Sequence, residues 1–160
     1  MNREICKVEN AVELIFDAIS ANESLARVVT ASFVASKNPT LEELSDIKTA
    51  VSEAVTNAIV HGYTKEYIEE HGMGKVWLTL CFQEKVLCVE IKDKGVGITN
   101  ISQAMEPLFT TKPEEDRTGM GFSFMEAFMD ELIVESEVGQ GTIIRMKKEV
   151  GYNPWICSEE

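Results

Sequence analysis

The sequence predicts an α/β fold of the α+β kind, a two-layer sandwich in which helices cover one face of a mainly antiparallel sheet. Two observations carry this prediction. Apolar and β-branched residues form five short runs, at residues 11–18, 76–82, 86–91, 132–134 and 142–146. Between these runs, apolar residues recur every three or four positions at 25–33, 44–59 and 122–129.

The first predicted strand covers residues 11–18, where Val12, Leu14, Phe16 and Ala18 alternate with Glu13, Ile15 and Asp17. A helix should follow it, with Asn22 as the N-cap residue whose side chain accepts from amides of the next turn. We expect this helix to end before Pro39, because proline is disfavoured inside a helix.

The second helix has the strongest signal in the chain. Thr40-Leu41-Glu42-Glu43 matches the capping-box pattern, in which a threonine and a glutamate three residues later satisfy each other's backbone amides. The apolar stripe then runs to His61-Gly62 and consists of Leu44, Ile47, Val51, Val55 and Ile59.

The second half of the chain predicts a hairpin, a long loop, a helix and two more strands. Only three residues separate the runs 76–82 and 86–91, as in a hairpin. Residues 94–118 hold two glycines and two prolines without a sustained period, so they predict a long loop of the kind that forms a lid. A helix at 122–129 and strands on either side of 138–141 complete the chain.

Composition narrows the class of partner. The chain has 160 residues, 44% of them hydrophobic, which fits one domain with its own core. A formal net charge of −12 opposes binding to nucleic acid or an anionic membrane and suits a basic partner protein. The four cysteines lack metal-ligand spacing, and no apolar run approaches a membrane span, so we expect a cytoplasmic location.

Glu53 and Asn57 form the first candidate site. They lie four residues apart, so a helix stacks them on one face, nearly opposite the apolar stripe. An amide oxygen is a ligand for Mg²⁺ and a carboxylate one turn away is a base for phosphoryl transfer. The alternative is a solvated helix face.

A second candidate is Asp93-Lys94-Gly95-Val96-Gly97, which directly follows a strand. Gly95 and Gly97 allow close approach of the backbone to a ligand, and Asp93 offers a fixed acceptor that suits the exocyclic amine of adenine. A plain turn capped by Asp93 is the alternative.

A third candidate is Arg117-Thr118-Gly119-Met120-Gly121-Phe122, which places glycines behind a cation at the start of a helix. Free amides and the helix dipole favour phosphate there. The alternative is a glycine-rich helix N-terminus with a surface arginine. The Walker pattern and the eukaryotic kinase signatures are absent, so neither familiar phosphate cradle explains these glycines.

Taken in order, E-A-V-T-N-A-I-V-H-G (53–62), D-K-G-V-G-I (93–98) and T-G-M-G-F (118–122) resemble the three ATP-binding boxes of the GHKL ATPase superfamily. The resemblance extends to one branch, the anti-sigma F factors of spore-forming bacteria, through N-E-S-L-A-R (22–27), P-L-F-T-T-K-P (107–113) and R-T-G-M-G-F (117–122). It implies the Bergerat ATP-binding fold in a single kinase domain, which we expect over residues 1–148. Composition predicts a polar tail over 149–160, outside the resemblance.

The resemblance also implies roles for individual residues. Glu53 would be the general base and Asn57 the Mg²⁺ ligand, while Asp93 would accept from adenine N6. Further ATP contacts would come from the glycine boxes, the lid and the last strand, at Gly95, Gly97, Thr110, Thr111, Lys112, Arg117, Gly119, Met120, Gly121 and Thr142. Glu23 and Arg27 would contact protein partners.

The implied activity combines inhibition of a sporulation sigma factor of the F type with phosphorylation of a serine on an anti-anti-sigma protein, by a homodimer that uses Mg-ATP. Three alternatives stay open: a stress-response anti-sigma kinase, a nucleotide-dependent sigma-binding module without kinase activity, and a sensor histidine kinase domain or ATPase clamp. Glu53 argues against the binding module, which needs no base. The last alternative requires further domains or a histidine-bearing dimerisation helix.

Overall fold

The computed structural model describes residues 8–107 and 121–151. Its strands are β1 (Asn10–Asp17), β2 (Lys75–Gln83), β3 (Val86–Asp93), β4 (Glu131–Glu137) and β5 (Gly141–Glu149). Its helices are α1 (Ala21–Ala35), α2 (Leu41–Asn57), α3 (Lys65–His71), α4 (Ile101–Ala104) and α5 (Gly121–Phe128), and α2 continues into a π-helical turn, Ala58–Gly62.

The five strands form one antiparallel sheet in the order β1-β2-β3-β5-β4. The core lies on one face of this sheet, since every second residue of β2 and β3 is buried while the residues between them are partly exposed. The inward side chains pack against apolar residues of the helices, among them Val34, Ile47, Val51, Val55 and Met125. The predicted α+β sandwich is therefore confirmed.

The capping box at the start of α2 is present as predicted. The Thr40 hydroxyl accepts from the Glu43 amide at 3.0 Å, and the Glu43 carboxylate accepts from the Thr40 amide at 2.9 Å. The stripe that follows is buried at Ile47, Val51 and Val55. This cap therefore fixes where the helix begins, while the apolar stripe determines which of its faces packs against the core.

The prediction that Asn22 caps α1 is wrong. The backbone is already helical at Ser20, and Asn22 lies within the first turn. The Asn22 side-chain amide donates instead to the Asp17 carbonyl at 2.9 Å. Only three residues separate the end of β1 from the start of α1. The Asn22 amide therefore reaches back and gives the carbonyl of Asp17, the last residue of the strand, a hydrogen-bond donor.

Two short helices occur where no helix was predicted. α3 begins after Thr64, whose hydroxyl accepts from the Tyr67 amide at 3.2 Å, and α4 begins after Asn100, whose side chain accepts from the Gln103 amide at 3.0 Å. Each has a side-chain cap but is too short to show a helical period. The described part of the predicted loop therefore contains one helical turn.

We predict that Thr40→Ala lowers the free energy of unfolding by about 1 to 2 kcal/mol, because the Glu43 amide loses its side-chain acceptor at the start of α2. Urea denaturation followed by circular dichroism measures the change. Ser32→Ala, on the exposed side of α1, is the matched control and should stay within about 0.5 kcal/mol of the parent. Equal effects of the two substitutions would contradict the prediction.

Candidate functional site

A cavity of about 600 Å³ opens between the π-helical turn, the end of β3, α4 and the start of α5. This volume lies within the range of small-molecule sites. Its lining combines polar groups with apolar and glycine surface: Asn57, Ala58, His61, Gly62, Thr64, Asp93, Val96, Gly97, Ile98, Thr99, Asn100, Gln103, Ala104, Gly121, Phe122, Thr142 and Ile144.

Asp93 is the one acidic residue among these described lining residues, and 5% of its surface is exposed. Its carboxylate accepts from the Gly95 amide at 2.9 Å and from the backbone amide of Thr142. Burial raises the pKa of Asp93 to about 6, although both amides act in the opposite direction by stabilising the charged form. The chain thus holds a fixed acceptor at the wall of the cavity.

Backbone segments approach one another closely around this carboxylate. A Cβ atom at Gly95 would lie 1.8 Å from the Gly62 carbonyl oxygen, so Gly95 lets the turn after β3 pack against the π-helical turn. Gly97 has φ of +76°, and its Cβ would lie 2.3 Å from the Glu137 carbonyl oxygen. Both glycines are therefore required for packing, and Gly97 also lines the cavity.

The structure brings Glu53 and Asn57 together at the start of α5. A Cβ atom added at Gly121 would lie 3.2 Å from Glu53 Oε2 and 3.4 Å from the Asn57 side-chain oxygen and nitrogen. Asn57 lines the cavity and Glu53 lies one helical turn before it. The predicted acid–amide pair and the first residue of α5 are therefore neighbours.

Thr142, predicted at the site, is 8% exposed and belongs to the lining. Its hydroxyl contacts the Ser136 hydroxyl at 2.8 Å. Ser136 was not predicted, because only the antiparallel register of β4 and β5, which pairs Ser136 with Thr142, brings it here. His61, Thr64, Asn100 and Gln103 also line the cavity without having been predicted as ligands.

Six predicted ATP contacts fall outside the described residues: Thr110, Thr111, Lys112, Arg117, Gly119 and Met120. Their roles remain predictions. Glu23 and Arg27 lie on α1 and do not line the cavity.

The two predicted partner residues differ in exposure. The Arg27 side chain is 43% exposed and lies 3.8 Å from the Glu23 carboxylate, whose side chain is 18% exposed. Glu23 also accepts from the Ser52 hydroxyl at 2.5 Å, which links α1 to α2. Of the two residues, Arg27 offers the larger free surface.

Comparison with known proteins identifies the family. Residues 16–148 match the model of the histidine kinase-like ATPase domain. Anti-sigma F factors from Geobacillus sp. (strain WCH70) and Bacillus subtilis (strain 168) are 50% and 48% identical over 94% of this chain and 100% of their own length. The chain belongs to the anti-sigma F factor family of histidine kinase-like ATPase domains. The resemblance found in the three sequence boxes is thereby confirmed.

Other relatives agree with this assignment. The anti-sigma F factor of Clostridium acetobutylicum is 53% identical over 89% of this chain and 95% of its own length. A crystal structure of the RsbU and RsbW domains of a Mycobacterium tuberculosis protein has a TM-score of 0.60 at 18% identity, which supports the fold. The match covers 88% of this chain but only 32% of that longer protein.

Membership of an ATPase family implies that the domain binds a nucleotide. Within residues 8–107 and 121–151, no helix is both long and apolar enough to cross a membrane.

We predict that Asp93 makes stability depend on pH. Its pKa is about 6 in the folded chain against 3.8 as the ordinary value, so the folded state binds the proton more tightly, and the contribution of Asp93 to stability falls as pH rises from about 4 to about 6. The free energy of unfolding of the parent minus that of Asp93→Asn should fall by about 2 kcal/mol between pH 4 and pH 7. Urea denaturation of both proteins at each pH measures it.

The subtraction cancels titrating groups that the two proteins share, and any constant effect of the amide appears as an offset that does not vary with pH. A difference that stays flat or rises over this window would contradict the assigned direction.

Proposed function

We propose that this chain is an ATP-dependent anti-sigma factor and protein-serine kinase, which inhibits a sporulation sigma factor of the F type and phosphorylates a serine of its anti-anti-sigma antagonist. The observation that carries the proposal is the convergence of Glu53 and Asn57 on Gly121, beside a cavity walled by the buried carboxylate of Asp93. The anti-sigma F names of the relatives favour the F type over a stress sigma factor.

The adenine end of the site would lie at Asp93. Its carboxylate already accepts two backbone amides, and its remaining lone pairs suit the exocyclic amine of adenine. Thr142 lines the same region, while Gly97 leaves room for the base beside the backbone. Gly95 would act indirectly, by letting the turn after β3 close against Gly62.

The phosphate end would lie between α2 and the start of α5. Asn57 offers the amide oxygen that would hold Mg²⁺, and Mg²⁺ usually takes few protein ligands because phosphates and waters supply the others. Asn57 fits that pattern, since it lines the cavity and lies beside Gly121 at the start of α5. When bound, Mg²⁺ neutralises charge that develops on the phosphate oxygens.

Glu53 would act as the general base. The antagonist's serine hydroxyl attacks the γ-phosphorus, the bond between that phosphorus and the β,γ-bridging oxygen breaks, and the serine proton passes to the Glu53 carboxylate. ADP leaves with the electron pair of the broken bond. The position of Glu53 one turn before Asn57 favours this reaction over a binding module, which needs no base at that point.

Protein partners would bind at the surface of α1 that carries Arg27. An arginine with 43% of its side chain exposed is accessible to a partner, and arginine is enriched among interface hot spots. We further propose that the chain works as a homodimer in the cytoplasm, with Glu23 holding Arg27 or contacting the partner itself. The net charge of −12 disfavours direct contact with nucleic acid.

One experiment separates the proposed activities. The purified chain is incubated with Mg-ATP labelled at the γ-phosphate, together with the antagonist and the sigma factor, and the products are resolved by phosphate-affinity gel and size-exclusion chromatography. Label on an antagonist serine and retention of unlabelled sigma factor support the proposal. Sigma retention without label would leave a binding module, and label on a histidine would indicate a histidine kinase.

We predict that Glu53→Gln lowers the rate of antagonist phosphorylation by about 10² to 10⁴, because the amide cannot take the serine proton. Single-turnover assays with labelled ATP measure the rate, and calorimetry checks that ATP binding persists. Glu42→Gln, an exposed position at the other end of α2, is the matched control and should keep the parental rate. A near-parental rate for Glu53→Gln would remove Glu53 from the role of base.

We predict that Arg27→Ala weakens sigma-factor binding by about thirtyfold or more, as expected when an interface hot-spot arginine is truncated. ATP affinity should not change, because Arg27 does not line the cavity. Surface plasmon resonance with immobilised sigma factor at saturating ATP gives the dissociation constant.

The matched control for Arg27 is Lys147→Ala. Lys147 is a cation on the sheet whose side chain is 49% exposed and which, like Arg27, lies close to one carboxylate. Its removal changes the net charge equally but should leave sigma binding intact. If both variants weaken binding to the same extent, Arg27 contributes only general charge.

A further inference from the structure

Ser136, near the end of β4, joins two walls of the cavity although it does not line the cavity itself. Its hydroxyl oxygen lies 2.7 Å from the Ile98 amide nitrogen, 3.0 Å from the Gly141 carbonyl oxygen and 2.8 Å from the Thr142 hydroxyl oxygen. Ile98 belongs to the turn after β3, whereas Gly141 and Thr142 begin β5. One side chain therefore holds the turn and the strand together.

The three contacts determine where the hydroxyl hydrogens point. A serine hydroxyl has one hydrogen to donate and two lone pairs that accept. The Gly141 carbonyl only accepts, so Ser136 donates to it, and the Ile98 amide only donates, so Ser136 accepts from it. The second lone pair of Ser136 then accepts from the Thr142 hydroxyl, which commits the hydrogen of Thr142.

This assignment leaves the Thr142 oxygen with acceptor capacity only. Thr142 lines the cavity, and its backbone amide donates to the carboxylate of Asp93, which is itself an acceptor. The two side chains at this end of the cavity thus both present acceptors. Two neighbouring acceptors suit a base that presents an amino group to them, and they disfavour a base that presents a carbonyl oxygen at the same place.

We propose that Ser136 is a specificity-determining positioning residue, which holds the Thr142 hydroxyl as an acceptor so that the site prefers an aminopurine such as adenine to an oxopurine such as guanine. The inference rests on the proposed binding of ATP in this cavity. It deepens that proposal by naming a residue outside the cavity wall that sets the choice of base.

Ser136 also has a structural effect, because its hydroxyl accepts from the Ile98 amide in the turn after β3. This structural effect must be distinguished from the proposed effect on the choice of base. The Gly139 amide donates to the Val96 carbonyl at 2.9 Å, so the β4–β5 connection is tied to the turn by a bond that does not use Ser136. Removing the Ser136 hydroxyl should therefore leave the turn attached while the Thr142 hydroxyl becomes free to rotate. A freely rotating hydroxyl donates to a carbonyl as readily as it accepts from an amine.

The test compares the dissociation constants of Mg-ATP and Mg-GTP by isothermal titration calorimetry on the full chain. In Ser136→Ala, the ratio of the GTP constant to the ATP constant should fall by about three- to tenfold, the amount expected from one hydrogen bond. Ser136→Thr keeps the hydroxyl and should restore the parental ratio. Ser36→Ala is the matched control, since the Ser36 hydroxyl donates only to the Phe33 carbonyl at 3.0 Å, within its own helix end.

Thr142→Val tests the same step without removing the Ser136 hydroxyl. It should lower the ratio on its own, and Ser136→Ala added to Thr142→Val should lower it no further, because both changes act through one hydroxyl. Circular dichroism and thermal unfolding establish that each variant is folded.

Several outcomes would overturn the inference. An equal loss of affinity for both nucleotides in Ser136→Ala, with the ratio unchanged, would reduce Ser136 to a structural residue. Independent effects of Ser136→Ala and Thr142→Val would show that Ser136 does not act through Thr142. Failure of the parent chain to bind either nucleotide would overturn the proposed function and this inference with it, whereas ATP binding with an unchanged ratio overturns the inference alone.

Discussion

The buried carboxylate of Asp93 is the group around which the surrounding backbone is arranged. It accepts from the amides of Gly95 and Thr142, and a Cβ atom at Gly62 would lie 2.9 Å from its Oδ1 atom. The end of β3, the start of β5 and the π-helical turn therefore all meet at one side chain. A carboxylate of 5% exposure is costly without such partners, so its position restricts the conformation of each segment that touches it.

The same arrangement links stability to function. Burial raises the pKa of Asp93 to about 6. The carboxylate is therefore charged at neutral pH, and its burial in that form lowers the free energy of unfolding. A base that donates to the carboxylate would stabilise that charged form and recover part of the cost. Strongly shifted pKa values of this kind are typical of binding sites, where a charged group is placed to interact with a ligand even though its burial lowers the stability of the unliganded protein.

Helix α2 connects this site with the rest of the molecule because different sides of the helix contact the sheet, α5 and α1. One side buries Ile47, Val51 and Val55 against the sheet, while Glu53 and Asn57 meet the start of α5. Ser52, adjacent to Glu53, donates to Glu23 on α1. The helix thus lies between the cavity and the surface that carries Arg27, and residue spacing along it determines the side that each residue occupies.

The sequence by itself determined the features that depend on local periodicity and on short motifs. The five strands, the capping box at Thr40 and the pairing of Glu53 with Asn57 on one helix followed from spacing, because a regular backbone turns residue spacing into direction. The motif boxes likewise pointed to the family and to Asp93. Tertiary structure decided what depends on strand register and on packing between segments: the need for Gly95 opposite Gly62 and the position of Ser136 next to Thr142. No local pattern encodes these contacts, since each arises only when strand register and close backbone packing bring separate parts of the chain together.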